Sequence, residues 1–196
     1  MEFLRSNNLG HPISGTTPTS IARSNMSEAY AKTPSLGKVI VVGGCGFLGS
    51  HIVNLLAQRH PQTQISVVDL RTSANRNSSS NVSYHNGDIT DFAAVKTLFS
   101  QIKPDAIIHT ASPIFNAKNE IHTKVNVEGT KNLVKAAQET GVKAFVYTSS
   151  ASVILGPEHE LVNADEKWPL VVGKAQPEYY TTTKVSRAQS VTPHGI

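Results

Sequence analysis

Between residues 38 and 148 the apolar positions fall into two alternating patterns, short continuous runs and longer one-sided stretches. Val39-Ile40-Val41-Val42 is unbroken apolar sequence, as expected of a strand covered on both faces. His51-Ile52-Val53-Asn54-Leu55-Leu56-Ala57 then reads as a helix, 65–70 as a second strand and 82–89 as a third. Over 91–102, Phe92, Val95, Leu98 and Phe99 recur on one helical face. A buried strand is predicted at 106–110 and a long helix at 124–140, with Val125, Leu133 and Val134 turned to a sheet and Gly141 as its C-cap. A further strand is predicted at 144–148. Strands alternating with helices predict an α/β fold: a doubly wound parallel sheet with helices on both faces, joined by right-handed crossovers.

Residues 1–36 lack any sustained apolar period and are rich in Ser, Thr, Asn, Gly and Pro, so they are expected to be disordered. Their poverty in acids fits an organelle transit peptide or, more simply, an upstream extension with Met26 as the usual start. Composition narrows the function classes. Of 196 residues, 39% are apolar and 16% charged, enough for a core, and no apolar run approaches the roughly 18 residues of a membrane span. The single cysteine, Cys45, forms no internal disulfide and no zinc cluster, which favours a reducing compartment. The 18 basic residues exceed the 14 acidic ones, but they are scattered, so no nucleic-acid partner is expected.

Candidate chemistry begins at Gly43-Gly44-Cys45-Gly46-Phe47-Leu48-Gly49, between the first strand and its helix. Gly43 permits a tight turn, Gly46 lets the backbone approach a pyrophosphate, and Gly49 lets helix and strand pack closely. The helix then directs free N–H groups and its positive dipole end at the phosphates. This is the pattern of a Rossmann-type dinucleotide site. Asp69, twenty residues beyond Gly49, either accepts hydrogen bonds from the adenosine ribose or is an ordinary strand-end acid. In the first role it prefers NAD to NADP, a preference that Arg71 could soften. Asp88 either receives the adenine amino group or serves as a turn acid. Cys45 has no His or Lys beside it to depress its pKa, and is read as a small loop residue rather than a nucleophile.

Tyr180-Thr181-Thr182-Thr183-Lys184 sets a phenol and an ammonium one helical turn apart. A nearby cation favours the phenolate and brings it towards the working range of a general base. Thr148-Ser149-Ser150-Ala151-Ser152 places hydroxyls at the carboxyl end of a parallel strand, where open α/β sheets bind ligands. There Ser150 can donate to a substrate oxygen. Asn126 either holds a water that relays protons to Lys184 or is an ordinary polar helix position.

The order of these motifs, with Ala111-Ser112-Pro113, Asn126-Val127-Glu128-Gly129-Thr130, Tyr147-Thr148-Ser149-Ser150 and Pro177-Glu178-Tyr179-Tyr180, resembles the extended short-chain dehydrogenase/reductase superfamily. Within it the wording is similar to the 3β-hydroxysteroid dehydrogenase group, especially its sterol-4α-carboxylate 3-dehydrogenases. The resemblance runs from about residue 38 to 184, an NAD(P)-binding domain of 37–184. It implies Tyr180 as general base, Lys184 as its modulator and ribose ligand, Ser150 as substrate-oxygen donor and Asn126 as relay holder. It adds Phe47, Leu48, Ile89 and Ala111 to the cofactor contacts Gly43, Gly46, Gly49, Asp69, Asp88, Tyr180 and Lys184. It further implies a steroid or sterol substrate, pairing into a homodimer, no metal, and a place in the cytoplasm or at the endoplasmic reticulum membrane. A non-catalytic dinucleotide-binding fragment and a sugar-nucleotide epimerase or ketone reductase of the same superfamily share every motif quoted. Family members continue past the Tyr/Lys helix with further strands and a substrate lobe. Residues 185–196 are therefore expected to be a non-family tail, encoded by a translated intron that opens with Val185-Ser186, with turnover weakened or lost.

Overall fold

The computed structural model describes residues 33–156, 161–165, 167–176 and 178–188. The disorder expected of 1–32 and the nature of 189–196 lie outside the described residues. Residues 33–36, expected to be disordered, are already tied to the body. The Leu36 N–H donates to Thr63 Oγ1 (2.9 Å), the Ser35 hydroxyl to Gln62 O (3.1 Å), and the Thr33 hydroxyl to Arg59 O.

Among the described residues five strands form one sheet: β1 (Lys38–Val42), β2 (Gln64–Asp69), β3 (Val82–Asn86), β4 (Ala106–His109) and β5 (Ala144–Tyr147). Their order is β3-β2-β1-β4-β5 and every pairing is parallel. The connections run outward from β1 to β3 and then return to the other side of β1. The carboxyl ends of β1 and β4 therefore flank a topological switch point, where ligands settle in such sheets. The period-2 alternation of the first strand divides the core. Ile40 and Val42 pack with Phe99, Ile107 and Leu133 on one face, while Val39 and Val41 pack with Val53, Ala57 and Ile65 on the other.

The helix α1 (Phe47–Arg59) covers the second face, and α2 (Phe92–Ile102) the first. Asp91 caps α2 by accepting the Ala94 N–H at 3.0 Å. Predicted strand 82–89 stops at Asn86, because its neighbour β2 ends at the paired Asp69; Gly87 still donates to Asp69 O (3.0 Å) before the chain turns away. The predicted helix 124–140 is longer and of mixed type. It comprises α3 (Asn119–His122), a π-helical segment (Thr123–Gly129) and α4 (Thr130–Thr140), and ends at Gly141 with φ +74°, the expected left-handed cap. The π segment turns Asn126 inward and seats Gly129 against Ile89, where a Cβ would lie 2.6 Å from the Ile89 side chain. After β5 come 3₁₀ turns at Ala151–Ile154 and Gly173–Ala175, then α5 (Tyr179–Ala188). β5 is the last strand of the sheet, and its Ala144 and Val146 are exposed.

Two glycines make the packing testable. A Cβ on Gly49 would lie 2.2 Å from Gly43 O and 2.7 Å from Gly44 Cα, main-chain atoms that cannot step aside, whereas Gly141 has open space and only a positive φ. Gly49→Ala is expected to cost roughly 2–3 kcal/mol as an overpacked site, and Gly141→Ala about 1 kcal/mol from backbone conformation. Urea unfolding of the two variants should rank them in that order; equal midpoints would contradict the close contact.

Candidate functional site

The turn between β1 and α1 assigns each glycine a different task. Gly43 has φ +78°, donates to Val68 O (2.8 Å), and lies so close to the loop after β4 that a Cβ would meet Ala111 N at 2.6 Å. Gly49 packs on Gly43 as described. Gly46 is different: the nearest atom to its Cβ position is Gly43 O at 3.2 Å, with nothing else within 4 Å. A side chain there would grow into open space beside the turn, so the missing Cβ leaves room for something other than protein. No side chain caps α1 at Gly46, so its first-turn N–H groups keep their capacity for an anionic acceptor. Phe47, 83% exposed, and Leu48 stand on that first turn.

Beside the turn opens a cleft of about 680 Å³ across the carboxyl ends of β1, β2 and β4 and the residues following β3. Gly43, Gly46, Asp69, Asp88, Ile89 and Ala111 all line it; Phe47, Leu48, Gly49, Tyr180 and Lys184 lie outside its lining. The shape fits a dinucleotide: Gly43 and Gly46 at one wall, where the uncapped first turn of α1 begins, a carboxylate at the end of β2, and apolar walls from Val42, Ile89 and Ala111.

Asp69 also works on the turn itself. Its carboxylate accepts the Cys45 N–H (3.1 Å) and the Arg71 N–H (3.3 Å). Asn75, which the motif spacing does not single out, donates to Cys45 O at 2.9 Å, so both main-chain groups of Cys45 are clasped. Its φ of +50° explains an Asn at this position. The Cys45 thiol is buried, and burial followed by the Asp69 charge pushes its pKa up, away from nucleophilic use. Asp88 accepts the Thr90 N–H at 2.9 Å, the main reason its carboxyl sits below the ordinary range.

The helix α5 brings the second constellation. Lys184 is 2% exposed, and its ammonium donates to Thr148 O (3.2 Å) just beyond β5. It stands 5.1 Å from the Tyr147 ring centroid and 5.9 Å from that of Tyr180. Burial pushes its pKa down to about 8. The Tyr180 ring is held edge-on by Phe115 (5.7 Å) and His122 (5.5 Å), neither of which stands in a recognisable motif. Below lies His109, wholly buried, its Nε2 paired with Thr130 Oγ1 at 2.9 Å. Burial, and then the Lys184 charge, lowers its pKa to about 3, so it is neutral at working pH.

Asn126 is fully buried and uses both ends of its amide on protein: Nδ2 donates to Thr183 Oγ1 (3.0 Å) and Oδ1 accepts the Ser112 hydroxyl (3.1 Å). The Thr183 hydroxyl in turn donates to Tyr180 O (2.6 Å). Asn126 therefore links the cleft wall to the Tyr180 turn, while the Lys184 ammonium donates to Thr148 O. Ser150 meets Ser152 at 2.8 Å, and Ser152 accepts the Thr181 hydroxyl at 2.9 Å. The Asn126–Thr183 and Ser152–Thr181 contacts join positions 57 and 29 residues apart, which explains why spacing gave no sign of these partners.

With this geometry in place, likeness to known proteins acquires a physical basis. Residues 40–192 match the 3-beta hydroxysteroid dehydrogenase/isomerase family. The chain is 39% identical over 163 residues to the decarboxylating sterol-4-alpha-carboxylate 3-dehydrogenase of Candida albicans, covering 80% of this chain and 46% of that protein. It is 39% identical to a 3-beta-hydroxysteroid dehydrogenase of Mycolicibacterium neoaurum, covering 76% of this chain and 41% of that protein. Among solved structures, UDP-glucose 4-epimerase of Thermus thermophilus in complex with NAD superposes with a TM-score of 0.68 at 28% identity, over 79% of this chain and 50% of the epimerase. The chain thus spans about half the length, or less, of the relatives it matches. On the match over residues 40–192 and these relatives, the chain belongs to the 3-beta hydroxysteroid dehydrogenase/isomerase family.

Proposed function

We propose that the protein oxidises the 3β-hydroxyl of a sterol, with a nicotinamide dinucleotide as hydride acceptor, and that its substrates carry a 4α-carboxylate. The observation that carries the reading is Lys184, a cation buried at the carboxyl end of the sheet one turn from Tyr180. A protein retains an ammonium in such a place at a cost, which is typical of functional sites. The sterol assignment rests on the sequence relatives; the epimerase likeness is weaker in identity and shares the fold.

The cofactor, when bound, supplies the hydride acceptor. The residues to hold it are the first-turn amides of α1 with Gly43 and Gly46 at the pyrophosphate, and Asp69 at the adenosine ribose. The Asp69 carboxylate repels a 2′-phosphate, so we take NAD over NADP. Tyr180 removes the proton of the 3-hydroxyl as the alcohol carbon is oxidised. Lys184 sets its ammonium 5.9 Å from the centre of the Tyr180 ring. Ser150 donates a hydrogen bond to the substrate oxygen. The resulting 3-ketone is an electron sink for C4: the bond to the carboxylate breaks, carbon dioxide leaves, and the pair of that bond passes to the enolate oxygen to which Ser150 donates. A proton from solvent then returns to C4. Asn126 acts through Thr183 on the Tyr180 turn. None of the described helices is long and apolar enough to cross a membrane. The lipid nature of the substrate supports a site of action in the cytoplasm or at the surface of the endoplasmic reticulum, and pairing of two copies belongs to the same proposal.

Formation of NADH by the full chain from a 3β-hydroxy-4α-carboxysterol tests the reading. Tyr180→Phe should lower that rate about 100-fold or more, the scale of a lost general base, with the fold retained. Turnover by the variant within a few-fold of the unaltered chain, or turnover of a nucleotide sugar but of no sterol, would overturn it.

A second prediction concerns stability. The Lys184 pKa falls from 10.5 unfolded to about 8 folded. Between those values the unfolded chain binds more protons, so stability rises as pH climbs from 8 to 10.5. Lys184→Met removes the buried charge, and should raise stability at pH 7 by up to roughly 3 kcal/mol while abolishing that rise. Urea midpoints at pH 7 and pH 10 decide it; a variant less stable at pH 7 with the slope intact would contradict a desolvated ammonium.

A further inference from the structure

We propose that Thr181 and Ser152 are positioning residues that fix which way Ser150 points its hydroxyl proton. The inference rests on the reading of Ser150 as donor to the substrate oxygen, and deepens it. The relevant groups form a chain running from α5 to the end of β5. Thr181, fully buried, lies 2.9 Å from Ser152 Oγ and 3.4 Å from Glu178 Oε2. Ser152 Oγ lies 2.8 Å from Ser150 Oγ, and the Ser152 N–H reaches Ser150 Oγ at 3.3 Å.

A hydroxyl has one proton to give and two lone pairs to fill, so such a chain runs in one of two directions. In the first, Thr181 donates to Ser152, Ser152 donates to Ser150, and the Ser150 proton points outward. In the second, Ser150 donates to Ser152, Ser152 to Thr181, and Thr181 to the Glu178 carboxylate. Ser150 would then face the substrate with a lone pair. The distances select the first direction. The 2.9 Å Thr181–Ser152 contact serves either direction, but the second also needs the Thr181–Glu178 contact, which at 3.4 Å is longer than the 2.5–3.0 Å of a well-formed O–H···O bond.

The main chain reinforces that choice. The Ser152 N–H already occupies one acceptor site of Ser150, and in the first direction the Ser152 hydroxyl fills the other. With both sites taken, the proton is the only hydrogen-bonding capacity Ser150 has left. Oxidation of an alcohol builds negative charge on the substrate oxygen, which a donor stabilises and a lone pair repels. The three consecutive threonines of α5 thus have three separate tasks. Thr181 directs the serines, Thr182 bonds Glu178 O at its exposed side (3.2 Å), and Thr183 meets Asn126.

Two measurements on the full chain test the inference. Neutron diffraction from deuterium-exchanged crystals locates the hydroxyl deuterons without any turnover. A Thr181 deuteron aimed at Ser152 Oγ and a Ser152 deuteron aimed at Ser150 Oγ are expected; a Thr181 deuteron on Glu178, or a Ser150 deuteron on Ser152, would overturn the proposal. In steady-state kinetics, Thr181→Val should lower kcat roughly 5- to 10-fold, the worth of one neutral hydrogen bond, with KM little changed. Thr181→Ser should restore it, and Thr181→Val should add little on top of Ser150→Ala. Full activity of Thr181→Val would overturn the inference, as would failure of Thr181→Ser to rescue. If the deuterons lie as expected while Ser150→Ala turns over normally, the role given to Ser150 fails and the direction of the chain stands.

Discussion

The main-chain contact between Gly43 and Gly49 is the constraint on which the carboxyl edge of the sheet depends. With no room for a Cβ between them, α1 starts directly on the end of β1, and its unpaired amides open at the switch point of the sheet. The same turn fixes its neighbours. Gly43 sits against the Ala111 backbone, which sets the loop after β4. Cys45 is held from both sides by Asp69 and Asn75, which sets the ends of β2 and its loop. The walls of the cleft therefore take their register from one close approach of backbone to backbone.

The second half of the site is organised by polar bonds in place of apolar packing. Buried and part-buried hydrogen bonds run from Ser112 through Asn126 and Thr183 to the carbonyl of Tyr180, and from Ser150 through Ser152 to Thr181. Both chains end on α5, so the helix that carries Tyr180 and Lys184 is keyed to the cleft wall and to the end of β5. Lys184 itself is destabilising where it lies, since burial disfavours its charge. A local rule broken at a cost is the pattern of a site shaped by function.

Much of this was legible in the chain. The alternation of Val39 and Val41 with Ile40 and Val42 carries the two-faced burial of β1. The glycine spacing carries the turn, because each position has a steric reason visible without coordinates. The π-helical segment was not legible, since apolar periodicity does not separate i→i+5 from i→i+4 bonding over seven residues. The partners of Asn126 were equally hidden: Thr183 lies 57 residues away, and its identity depends on how α5 docks. Asn75, His122 and Thr181 look like ordinary polar residues until a fold gives them neighbours.

The central claim is that backbone amides at the opening of α1 hold a dinucleotide pyrophosphate. Calorimetric titration of the full chain with NADH tests it most directly, with Gly46→Val as the comparison because that side chain would project into the open space beside the turn. The account predicts one saturable site in the unaltered chain, weakened more than about tenfold in the variant at unchanged thermal stability. Equal affinity in both proteins, or no heat of binding from folded chain at millimolar NADH, would contradict it.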